Sequence, residues 1–224
     1  MSEVILRNGN KGNIFSHDKK TALYLFFAIF SSILITSLPL ITTSFIGYEI
    51  SFSIMVGTEF FLALLFYVYF LRHLPECRYK LHADIRAFKY SIALFLAILI
   101  IQAFSYFSRS NVYYNTQANL SIVEILTLVF VIPFYEEIFY RGCLFGFLCS
   151  VYKKGLILPS VITSLFFSLM HTQHYDIASQ CVLFSISLIF IHVRIKTESL
   201  LHTTILHSAL NAFVVILNIQ SIYR

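Results

Sequence analysis

Apolar residues run along this chain in long blocks separated by short polar segments. About 20 apolar residues in a helix cross a bilayer core about 30 Å thick. Seven blocks reach or approach that length: residues 22–46, 50–71, 90–108, 122–149, 156–172, 177–193 and 200–220. The fifth and sixth are short, as tilted partners in a bundle or incompletely spanning helices are. No internal repeat, low-complexity tract or soluble domain interrupts the series. The pattern predicts an all-α fold, a polytopic membrane helix bundle of about seven transmembrane helices.

Composition strengthens that expectation. Hydrophobic residues make up 58% of the 224 positions and charged residues 12%, with a mean hydropathy of +0.79. A soluble domain carries about 25% charged residues, so too few polar side chains remain here to cover a water-facing surface. The 24 Phe and 14 Tyr against 7 Gly and 4 Pro exclude disordered, collagen-like and linker-rich chains. Residues 1–20 are polar and the apolar block after them is too long for a signal-peptide core, so it reads as a first span that stays. Cys77, Cys143, Cys149 and Cys181 show neither a CxxC pair nor metal-ligand spacing. All but Cys77 lie in apolar blocks, as small core or lipid-facing residues.

The net charge of +5 gains meaning only from its distribution. Basic residues gathered on one face would point to nucleic acid; these sit in the short segments between apolar blocks, so the expected partner is the lipid bilayer, with no nucleic acid. Lys and Arg mark cytosolic loops. With the N-terminus inside, the inner segments hold Arg7, Lys11, Lys19 and Lys20, then Arg72, Arg78, Lys80, Arg86 and Lys89, then Lys153, Lys154, Arg194 and Lys196. Arg109 and Arg224 fall outside and Arg141 within a span. This split of 16 basic residues favours seven spans, N-terminus in and C-terminus out, in a plasma or bacterial inner membrane.

Ionisable residues at membrane depth are functional candidates, because each is costly there. The fourth block contains Pro133-Phe134-Tyr135-Glu136-Glu137-Ile138-Phe139-Tyr140-Arg141. Glu137 and Arg141 stand at i and i+4 and can pair on one helix face. Glu136 points about 100° away from that pair, which makes it a candidate general base; the structural alternative is a buried ion pair with a second Glu at a bundle seam. The fifth block ends on His171, with His174 one turn on. These two are either bland helix-end residues or metal ligands. The seventh carries His202, His207 and Asn211. His207 and Asn211 share a face and both can donate to a developing oxyanion; the alternative is interhelical polar glue. At 1.5 Å per residue, Glu136, His171, His207 and Asn211 lie about 20, 22, 10 and 16 Å from the cytosolic ends of their helices. Those depths are compatible with one site.

In order and on separate helices, Glu136-Glu137-x-x-x-Arg141, Phe167-x-x-x-His171 and His207-x-x-x-Asn211 resemble the three motifs of the CPBP intramembrane proteases. That family, also called Abi, holds the CAAX-prenyl endopeptidases and bacteriocin-processing enzymes. Thr197-x-Ser199-Leu200, ahead of the last helix, resembles the flank of its third motif. The resemblance covers residues 122–220 and implies a catalytic helical core at 122–224, preceded by N-terminal membrane helices at 1–121, in one compact membrane domain. It implies hydrolysis of a peptide bond in a membrane-associated peptide or protein substrate. Glu136 would activate water with help from His171, His207 and Asn211 would bind the oxyanion, and Glu137 and Arg141 would shape the site.

No cofactor is expected. A divalent metal such as zinc stays open by donor count, but Glu136 and Glu137 diverge, and the guanidinium of Arg141 would repel a cation. Two other function classes compete. One is a non-proteolytic bacteriocin immunity or membrane scaffold protein of the same fold. The other is a transporter using Glu59, Glu124 and Glu136 as a proton path, which the lack of internal repeats disfavours.

Overall fold

The computed structural model describes residues 15–74, 77–80, 85–108, 121–171 and 176–222, and the side chains of these except at 85–88, 105–108, 218 and 220–222. All regular structure among them is helical. The elements are α1 (Lys19–Thr36), α2 (Pro39–Ile46), α3 (Tyr48–Tyr69), α4 (Ile85–Ser108), α5 (residues 122–151), α6 (Ile157–Met170), α7 (Ile177–Thr197) and α8 (Leu200–Ile222). Where described, each of the seven apolar blocks is mainly helical. Among the described residues four stretches are long and apolar enough to cross a membrane: Lys19–Ile46, Tyr48–His73, Ile177–Thr197 and Leu200–Leu217. The protein is an integral membrane protein. Lys89–Phe104 and Ile157–Met170 are shorter apolar helices.

Local chemistry sets the helix ends. Asp18 accepts from the Thr21 backbone N–H at 3.0 Å and starts α1. The hydrogen bonds from Thr21 hold the Asp18 carboxyl below its ordinary range. Asp176 starts α7 the same way, on the N–H of Ser179 at 2.8 Å. The first apolar block is broken at Ser37–Leu38, because Pro39 takes the first turn of α2 and cannot continue the preceding helix. Gly47 then joins α2 to α3 at φ 79° and ψ 163°, a region essentially reserved for glycine. Glu124, expected at membrane depth, instead closes a capping box at the exposed start of α5. Its carboxylate accepts from Ser121 N–H at 2.7 Å, while Ser121 Oγ accepts from Glu124 N–H at 3.2 Å.

The chain divides into two compact units, one of residues 1–79 and 134–163, the other of residues 80–133 and 164–224. In the first, α1 packs on α3 and on residues 137–151 of α5. Leu25, Ala28, Met55, Val56, Ala63, Ile138 and Phe145 are buried there. Phe15 meets Phe145 edge-on at 5.4 Å, and the backbone N–H of His17 donates to Ser150 Oγ at 2.9 Å. Cys77, Cys143 and Cys149 are buried thiols of this unit. In the second unit α4, α7 and α8 pack around Ile98, Ile186, Phe190 and Leu210, and Cys181 is exposed. Ser199, from the motif flank, fastens the start of this unit: it accepts from Lys80 N–H at 3.1 Å and donates to Lys80 O at 2.8 Å.

Two glycines with equal space around them separate backbone strain from packing. A Cβ at either Gly47 or Gly57 would meet nothing within 4 Å. Gly47→Ala should cost about 1–3 kcal/mol through its forbidden φ/ψ, whereas Gly57→Ala, inside α3, should stabilise by about 0.5–1 kcal/mol. Denaturant unfolding in detergent checks the pair; equal changes in the same direction would contradict the turn assignment.

Candidate active site

The helix α5 carries the candidate carboxylates, and it is not a uniform α-helix. Residues Thr127–Val131 and Glu137–Leu144 are wound as π-helix, with i→i+5 hydrogen bonds. Such widened turns are rare and concentrate at functional sites. Glu136 is the last residue before the second of them and is partly buried. Glu137 and Arg141 lie inside it with no exposure, joined by a bond from Arg141 Nη1 to Glu137 Oε1 at 2.9 Å. The expected i,i+4 pair thus forms. Desolvation of two charges consumes most of what their attraction returns, so the pair fixes geometry more than it adds stability.

The first unit adds a buried carboxyl group outside the three motifs. Glu59, on α3, has no exposed surface. Its Oε1 accepts from Ser32 Oγ at 3.0 Å and from Thr36 Oγ1 at 2.8 Å, both on α1. A lone Glu inside an apolar helix was the available signal; its partners lie on another helix, two positions one turn apart.

The second unit holds the imidazoles and the carboxamide. His171 stands at the end of α6, and its Nδ1 lies 2.7 Å from the Phe167 carbonyl oxygen. A carbonyl can only accept, so Nδ1 carries the hydrogen and Nε2 is the basic nitrogen. Phe167 packs on the His171 ring at 4.4 Å between centroids and on the His207 ring at 6.1 Å. Phe190 meets His207 at 5.2 Å, so His207 is buried between two aromatic rings. Asn211, one turn on, donates from Nδ2 to the Leu128 carbonyl at 2.8 Å, in the first π-helical stretch of α5. One of its two N–H groups is therefore a tether. His202 is buried, and His174 lies outside the described residues. On the exposed side of this unit Tyr90 and His192 share a hydrogen bond of 2.8 Å.

A catalytic zinc is held by three protein side chains. Among the described residues no three His, Cys, Asp or Glu side chains group closely enough to hold a metal ion.

The segment carrying these motifs is matched by a known family. The model of type II CAAX prenyl endopeptidase Rce1-like proteins matches residues 118–213. An uncharacterized 24.3 kDa protein of Escherichia coli is 33% identical over 86 residues, which are 38% of this chain and 40% of that protein. The chain thus spans about two fifths of the length of that curated relative. No solved structure matches. Residues 118–213, which carry the glutamate pair, His171, His207 and Asn211, are thus similar to the Rce1-like, CAAX-protease family.

Proposed function

We propose that this protein is an intramembrane endopeptidase in which Glu136 activates water. The observation that carries the proposal is the buried i,i+4 pair: Glu137 is held by Arg141 at 2.9 Å, which gives Glu137 the structural part of the motif and assigns the base to Glu136. Glu136 takes a proton from water as the oxygen attacks the scissile carbonyl carbon. His171, with Nδ1–H given to Phe167 O and Nε2 basic, supports that transfer as a second acceptor. His207 and the remaining N–H of Asn211 donate to the oxyanion. Collapse of the tetrahedral intermediate breaks the C–N bond, and the proton on Glu136 passes to the leaving amine. Cleavage by this route requires Glu136 and His171 to serve one reacting carbonyl, and it uses only the chain's own side chains.

The substrate is a membrane-associated peptide or protein; a prenylated CAAX terminus and a bacteriocin precursor are the two classes to assay. The protein works as a multi-pass component of a bacterial inner membrane, with seven spans and a cytosolic N-terminus. The asymmetry of the basic residues supports that orientation.

The catalytic reading is tested on full-length protein in liposomes with quenched peptides of both classes. Glu136→Gln should insert and fold normally and lose cleavage. Asn211→Ala should lower kcat by about 10²–10³ with little change in KM, and a strong chelator should leave turnover intact. Near-wild-type cleavage by Glu136→Gln would falsify the role of Glu136. Loss with chelator and recovery with zinc would replace the mechanism by a metal-dependent one. For the topology, reporters fused after Lys80 and Lys154 should read as cytosolic and one in the 110–120 loop as external; an external signal at Lys80 overturns the orientation.

A further inference from the structure

Three segments of the first unit meet at one end of it. The backbone N–H of His17, just before α1, donates to Ser150 Oγ near the end of α5 at 2.9 Å. Tyr24, on the second turn of α1, meets Phe70, just after α3, edge-on at 5.3 Å. The start of α1 therefore lies beside the ends of α3 and α5. Lys19 and Lys20 begin α1, Arg72 follows α3, Lys153 and Lys154 follow α5, and all five are exposed. Among the described residues the carboxylate at this end is Asp18, and the Thr21 N–H occupies it as the helix cap. Glu49 stands at the opposite end of α3, and Glu59, Glu136 and Glu137 lie within helices. Five positive charges thus face one committed carboxylate.

The aromatic residues around them set their height. Tyr24, Tyr69 and Tyr152 are exposed at the same end, and the Lys20 ammonium lies 6.0 Å from the centre of the Tyr24 ring. Tyrosine concentrates at the boundary of a bilayer, with its ring in apolar surroundings and its hydroxyl in wet ones. Bare apolar surface begins just beyond: Leu23, Phe26 and Phe27 on α1 and Ile157 at the start of α6 are exposed. From Lys20 to Phe26 is about 9 Å along the helix. The five cations therefore stand at the level of the lipid phosphates. An acidic protein or a nucleic acid would have to displace the headgroups of that layer to reach them.

We propose that this end of the first unit is a binding surface for the phosphate groups of anionic phospholipids, which it selects over zwitterionic ones. The phosphodiester oxygens accept from the lysine ammonium groups and the Arg72 guanidinium. A headgroup without a cation of its own leaves that attraction unopposed. It fades within a Debye length, about 8 Å at physiological salt, so it acts on the lipids in direct contact with the protein. Neither Glu136 nor any other candidate catalytic residue takes part, so lipid selection is independent of the endopeptidase reading.

Spin-labelled lipids test this on the full-length protein in phosphatidylcholine liposomes, because a lipid held against the protein gives a motionally restricted electron spin resonance signal. Phosphatidylglycerol labelled on its acyl chain should associate about fivefold more strongly than labelled phosphatidylcholine, the effect of one basic residue at an anionic surface. Lys19→Gln, Lys20→Gln, Arg72→Gln, Lys153→Gln and Lys154→Gln combined should make the two labels equal, and exchanging the same four lysines for arginine should keep the preference. Lys89→Gln with Lys196→Gln, which removes exposed cations of the second unit, should keep it as well. Equal association in the wild type overturns the proposal. So does a preference that survives the five-residue variant or vanishes in the second-unit variant. Displacement of the phosphatidylglycerol label by inorganic phosphate, beyond that by chloride at equal ionic strength, also overturns it, because the surface would then take a soluble anion.

Discussion

A charge in the apolar interior of a membrane bundle persists only where another group answers it, and α5 meets this constraint for Glu137 within its own sequence. Glu137 is answered by Arg141 within one helix, at 2.9 Å and with no exposure of either side chain. Around them the helix is widened into π-turns, and α1 and α3 pack on the same stretch, residues 137–144. The packing and the ion pair therefore depend on each other. A loosened bundle would expose the pair to water, and an unmatched arginine would hold the bundle apart.

In the second unit, preorganisation comes from ordinary contacts. A carbonyl oxygen sets the tautomer of His171, Phe167 and Phe190 confine the ring of His207, and Leu128 O fixes one end of Asn211. Each of these side chains is held by a neighbouring group, as the members of a preorganised site would be. Ser199 has a similar supporting part, tying Lys80 to the start of α8. That gives the Thr197-x-Ser199-Leu200 flank a structural reason.

Hydrophobic length revealed the helices, because an apolar block in lipid has no other way to satisfy its backbone. The Glu137–Arg141 pair was also legible, since it depends only on spacing along one helix. The break before Pro39 and the Ser121–Glu124 capping box had local signatures, a proline after a helical block and S-x-x-E, that hydropathy alone passes over. The π-turns had none: residues 127–131 and 137–144 show no composition that separates them from α-helix. The cage around Glu59 was hidden for another reason. Ser32 and Thr36 stand 27 and 23 positions away in the chain, and nothing in a single sequence records which helices pack together.

The central claim is that two adjacent glutamates have opposite duties, Glu137 holding the bundle and Glu136 doing chemistry. Unfolding both isosteric variants under identical conditions tests it most directly. Glu137→Gln takes the counter-charge from a buried guanidinium and should cost about 3–5 kcal/mol. Glu136→Gln leaves that ion pair intact and should leave stability nearly unchanged. If Glu136→Gln instead loses as much stability as Glu137→Gln, both glutamates are structural and the division of labour is wrong.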